Sequence, residues 1–216
     1  MRKILFLCIG FALLTSCSNK TNEEKARDLI ESFLENSIYR QYCNLEDYKF
    51  AKLKLDSCYS DDESLNPKKM KFALELAKLF NEYKDYIYEA QRAEASKPKD
   101  ELSGLWCAQD EVISIANEKA SGVKKEIIEL FRKNKDLFDD SQFSKHEFIG
   151  WVGVYGKTDI YTGNFSKHSS FIFFMDKDFK KVNENFSGKD IELLESVDIK
   201  RLRNEFGVDL GEVFSE

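Results

Sequence analysis

The chain has 216 residues, enough for one domain with its own core, with 42% hydrophobic and 33% charged side chains and a formal charge of −6. That acidic balance, with no long run of Lys and Arg, speaks against a nucleic-acid partner, because neutralising phosphates needs a basic face. Five cysteines at positions 8, 17, 43, 58 and 107 include no C-x-x-C pair, so neither a zinc site nor a thioredoxin-like motif is indicated.

Arg2 and Lys3, an apolar run from Ile4 to Leu14 and small residues before Cys17 form the three parts of an export signal. The run is shorter than the ~20 apolar residues a spanning helix needs, so 1–16 read as removed, not as a membrane anchor. Leu14-Thr15-Ser16-Cys17 resembles the bacterial lipoprotein box, which implies that Cys17 becomes the lipidated first residue, held in the membrane by its acyl chains. The 33 basic residues then lose Arg2 and Lys3, leaving 31 against 39 acidic ones and a charge of −8. Of the cysteines left, Cys43 and Cys58 flank a strand; a bridge between them and no bridge at all both remain open.

Residues 17–22 read as a tether and 23–216 as a single domain. Thr21-x-x-Glu24 has the form of a capping box, and Ala26, Leu29, Ile30, Phe33 and Leu34 follow at helical spacing, which predicts a helix over 22–36. Ala51, Leu53 and Leu55 alternate with Lys52, Lys54 and Asp56, the pattern of a strand wet on one face. Asn66-Pro67 starts a second helix whose stripe (Met70, Ala73, Ala77, Phe80, Tyr83, Ile87, Ala90, widened by Phe72, Leu76, Leu79 and Tyr86) runs to Lys97-Pro98. Such a helix is roughly 40 Å long and needs a partner along its length. The partner is the helix predicted over 109–135, with Gly122 as a weak point or break, and the short link at 98–106 makes the two antiparallel.

The period then changes. Phe148–Tyr155 and Phe171–Met175 read as two antiparallel strands, and weaker helical signals at 189–206 close at Gly207. The fold class expected is α+β: a long antiparallel helical hairpin packed with a small antiparallel sheet of three strands. Lys54-Leu55-Asp56-Ser57, Leu105-Trp106, Phe148-Ile149-Gly150-Trp151 and Phe173-Phe174-Met175-Asp176-Lys177-Asp178 carry a resemblance to uncharacterised lipoproteins of gut Bacteroides-type bacteria. It covers most of 23–182 and implies a fold and a compartment, the cell envelope, but no activity.

Apparent catalytic motifs fail on context. Gly156-Lys157-Thr158 lacks the earlier glycine of a phosphate loop, since position 151 is Trp, and Ser121-x-x-Lys124 lies in a helical run without its partner motifs. His146 with Glu147, Asp176 and Asp178 could form a small metal or acid–base cluster, with solvated charges at a strand end as the alternative. No catalytic residue, metal ligand or cofactor is therefore assigned. On β-strand alternation Ile149, Trp151 and Tyr155 share one face, and Phe148, Val152 and Val154 the other. The Trp151 face is either buried by the C-terminal segment or left as a ligand platform of Trp151, Tyr155 and Tyr161. The expected role is binding or structural work at the envelope through protein or glycan contacts, at the outer membrane rather than the inner. An envelope hydrolase is the alternative.

Overall fold

The computed structural model describes residues 20–37, 51–62, 66–97, 104–138, 145–158 and 164–208. In chain order these give α1 (Asn22–Asn36), β1 (Lys52–Tyr59), α2 (Pro67–Ala95), α3 (Gly104–Lys133), a 3-10 turn (Lys135–Phe138), β2 (Phe148–Thr158), β3 (Phe165–Met175), β4 (Val182–Ser187), α4 (Gly188–Glu195) and α5 (Ile199–Glu205). The class is α+β, as the periodicities predict. The signal segment, Cys17, Cys43 and Tyr161 lie outside the described residues.

α1, α2, α4 and α5 each start where the sequence supplies an acceptor. The Thr21 hydroxyl accepts the Glu24 N–H at 3.2 Å while the Glu24 carboxylate accepts the Thr21 N–H at 2.7 Å, a reciprocal cap that contributes about 1 kcal/mol. Asn66 Oδ1 accepts from the Lys68 and Lys69 amides with Pro67 next in line. Gly122 does not break α3: the helix runs through it because Ala120, Val123 and Ile127 bury the face beside it, which outweighs the ~1 kcal/mol a helical glycine costs.

α2 and α3 form the antiparallel hairpin. At its tip Lys97 pairs with Asp110 at 2.8 Å and Gln109 Nε2 donates to the Ser96 carbonyl at 2.9 Å. At its base the Phe72 and Phe131 rings meet edge to face, 5.2 Å apart. Leu202, Phe206 and Val208 from the C-terminal segment complete this core with Leu76 and Ile127.

The sheet is antiparallel with strand order β1-β2-β3-β4. It has a fourth strand because β4, a polar stretch where the sequence predicts no strand, pairs along β3; Asn183, Glu184 and Asn185 hide the strand pattern and only Phe186 is fully buried. β3 is also longer than expected, since the polar stretch before Phe171 continues the pairing with β2.

Helices cover both faces. Ala26, Ile30 and Leu34 of α1 seal one face over Tyr155, Phe171, Phe173 and Met175, each fully buried aliphatic side chain contributing ~1.5–3 kcal/mol. Gly153 lets α1 sit close: a Cβ there would meet Leu53, Met175 and Ile30 at 3.1–3.5 Å. On the other face Met70 and Leu74 of α2 and Ile191 and Leu194 of α4 pack on Val152, Phe174 and Phe186. The Trp151 face, which the sequence leaves either buried by the C-terminal segment or open as a platform, is covered by α1 over Tyr155, and the C-terminal segment completes the hairpin core.

Candidate functional site

One irregularity in β2 builds the site. Gly150 pairs with Cys58 and Phe148 with Tyr59, so Ile149 is an extra residue, a β-bulge. Gly150 takes φ 153°, and a Cβ on it would fall 2.2 Å from the Met175 carbonyl oxygen, so glycine is required there. Strict alternation fails at this point. Ile149 turns to the Val152 and Phe174 side, and Phe148 turns to the Trp151 side, against the sequence expectation for both.

The consequence is a row of rings across the end of the sheet. Phe179 stacks on Trp151 (centroids 5.2 Å, 22°), Trp151 meets Phe148 edge to face (5.3 Å), Phe148 meets Tyr59 (5.9 Å), and Tyr59 stacks on His146 (4.1 Å, 14°). The first four rings are half-buried, and His146 stands exposed with its side chain 67% accessible. Asp61 holds His146 by both oxygens, 2.9 and 3.0 Å from Nδ1. Because an ionised carboxylate only accepts, the neutral imidazole carries its proton on Nδ1 and offers Nε2 as an acceptor.

Local hydrogen bonds fix both ends of the row. The Ser60 hydroxyl donates to the Lys145 carbonyl and accepts the Glu147 N–H at 3.1 Å, tying the His146 segment to the end of β1. In the β3–β4 turn, Asp176 Oδ1 accepts the amides of Lys180 and Lys181 at 2.7 and 3.0 Å. Burial by itself would raise the Asp176 carboxyl, but these two N–H groups and the lysine charges outweigh it and hold the group below the ordinary carboxylate range. The turn carries Phe179 at φ 58°, a left-handed conformation that costs a bulky residue ~1–2 kcal/mol. Stacking on Trp151 offsets that cost, and the Trp151 indole N–H donates to the Lys177 carbonyl at 3.2 Å.

The proposed His146 cluster does not assemble. His146 takes Asp61, Asp176 caps its own turn, Glu147 lies 3.7 Å from Lys177, and Asp178 lies 2.9 Å from Lys180. Among the described residues no group of three or more His, Cys, Asp or Glu side chains is placed to hold a metal ion.

Of the expected platform, Trp151 stands in the row, but Tyr155 does not present a surface. It is 1% exposed beneath α1, its hydroxyl donating to Glu31 at 3.3 Å with Arg27 over the ring, and burial with the Glu31 charge pushes its pKa up to about 12. Tyr59, Phe148 and Phe179 take the place given to Tyr155, and Tyr161 lies outside the described residues. A sequence signal existed for Phe148 in the glycine at 150; the stacking of Phe179 back across a turn had none.

On the opposite face, behind the same bulge, lies a cleft of about 550 Å³ floored by Cys58, Ile149 and Phe174 and edged by Asn66, Asn134 and Asp136. Burial, with Asp62 adding to it, pushes the Cys58 thiol up to about 11, so the thiol is protonated at neutral pH and is no nucleophile. The apparent Ser121 and Lys124 pair sits on the exposed side of α3.

Set against protein-family models, curated proteins and solved structures, the chain matches none. The function therefore rests on the row, the cleft and the sequence.

Proposed function

We propose that this protein is a lipid-anchored module of the cell envelope that binds a saccharide chain along the aromatic row. The observation that carries the reading is the row itself: five rings from Phe179 to His146 bordered by Asp61, Glu147, Lys177 and Asp178. Ring faces take the C–H faces of sugars while rim carboxylates and ammonium groups take their hydroxyls, and a partly exposed apolar row with a polar rim is the usual form of an interaction site. The lipoprotein box at Leu14–Cys17 and the resemblance to envelope lipoproteins support the compartment. A protein ligand is the competing occupant.

A hydrolase is the second reading, favoured by the Asp61–His146 pair, which has the form of an oriented general base. Binding is preferred because the Ser60 hydroxyl, in the same segment, donates to the Lys145 carbonyl and accepts the Glu147 N–H and is thus committed to the backbone and not to the imidazole. Titration calorimetry with soluble envelope polysaccharides and with peptidoglycan fragments tests the reading. Saturable binding that Trp151→Ala and Tyr59→Ala weaken at least tenfold supports it; binding unchanged in both variants, or turnover of the saccharide that His146→Ala abolishes, overturns it.

A further inference from the structure

The chain enters the domain at the end of the sheet opposite the aromatic row. Arg27, in the second turn of α1, donates to the Ala51 carbonyl at 3.2 Å just before β1, and Tyr155 lies under the same turn. Further along α1, Ile30 reaches Gly153 and the Phe33 ring meets Phe173. The start of α1 at Asn22 therefore belongs with the late residues of β2, while Tyr59, His146, Phe148 and the β3–β4 turn belong with its first residues. Seven residues of strand separate Tyr155 from Phe148, about 23 Å at 3.3 Å per residue.

Only five residue steps join Cys17 to Asn22, a reach of at most about 17 Å. We infer that in the anchored protein the α1 entry and the Thr158 end of β2 face the bilayer, and that the aromatic row points away from it to receive a saccharide chain from outside the anchoring leaflet. The inference rests on lipidation of Cys17 and on the saccharide reading above. Aromatic rings with lysines nearby are also the composition of a seat on a bilayer surface. Here Lys177 and Lys180 are matched by Glu147 and Asp178, so the row has little net positive charge to draw it to an anionic leaflet.

Energy transfer on the full lipidated protein tests this orientation. An azidophenylalanine-coupled donor dye is placed in place of Lys157, at the late end of β2, or of Lys145, beside the row; both side chains are exposed. The protein is reconstituted in phosphatidylethanolamine–phosphatidylglycerol vesicles bearing a headgroup acceptor, and palmitate incorporation is measured on the same samples. The expected result is at least twofold greater transfer efficiency from position 157 than from 145. Equal transfer, or greater transfer from 145, with palmitate present overturns the orientation alone and puts the row on the membrane. Absence of palmitate overturns the anchor and the orientation with it, while leaving saccharide binding by the soluble domain to be judged on its own titration.

Discussion

The Cβ that alanine would place on Gly150 falls 2.2 Å from the carbonyl oxygen of Met175 on the neighbouring strand. Gly150 also has a φ of 153°, so substitution meets backbone on one side and torsional strain on the other. Gly150→Ala is expected to cost roughly 2–4 kcal/mol, read as a lower denaturation midpoint with unchanged slope. Because the bulge sends Phe148 to the row and Ile149 to the cleft, the variant should also weaken saccharide binding. Stability within about 0.5 kcal/mol of wild type would show that the bulge is not fixed by this contact.

Phe179→Gly separates the row from the fold. Glycine relieves the φ of 58° while removing the ring stacked on Trp151, two effects of opposite sign and similar size, so the net change in stability is expected within about 1 kcal/mol. Saccharide affinity should fall at least tenfold. A stable variant with full affinity would remove Phe179 from the site.

Much of this arrangement is legible in the residues. Thr21-x-x-Glu24, Asn66-Pro67 and the stripes of α1 and α2 place two helix starts and faces correctly, because caps and 3.6-residue periodicity act locally. β4 was not legible: an edge strand needs only one buried side chain, and Val182–Ser187 supplies Phe186 among polar residues. Covering the Trp151 face also needed tertiary knowledge, since α1 is amphipathic with or without the sheet and its sequence does not name the partner. The row failed to show for a sharper reason. Alternation is a period-2 rule and one extra residue at Ile149 inverts it, so strict alternation puts Phe148 on the wrong face.

The hairpin core should respond as a packed interior. Leu76 is fully buried among Phe72, Ile127 and Phe131, and Leu76→Ala is expected to lose about 2–5 kcal/mol in chemical denaturation. The exposed Gly122, whose added Cβ would touch nothing, gives the opposite case: Gly122→Ala should stabilise α3 by about 0.5–1 kcal/mol. A destabilised Gly122→Ala variant would mean that α3 is interrupted there.

Alkaline pH should destabilise the domain through two buried acids. Both Cys58 and Tyr155 are held protonated in the fold, mainly by burial, with pKa values near 11 and 12. In the unfolded chain they ionise at their ordinary lower values, so the stability they contribute is complete below about pH 9 and is lost as pH rises toward 12. For Tyr155 the loss is on the order of 2–3 kcal/mol. Tyr155→Phe should flatten the upper part of this decline, measured as denaturation midpoint against pH; a profile identical to wild type between pH 10 and 12 would contradict the buried, protonated hydroxyl.

Membrane attachment through Cys17 is the claim on which compartment, orientation and the reach of the site all stand. Metabolic labelling with palmitate, followed by fractionation of the cell envelope, tests it most directly. Wild-type protein is expected to carry the label in the membrane fraction, and Cys17→Ala to carry none and to accumulate as unprocessed precursor. Label retained on the Cys17→Ala variant, or unlabelled wild-type protein of mature size, would contradict it.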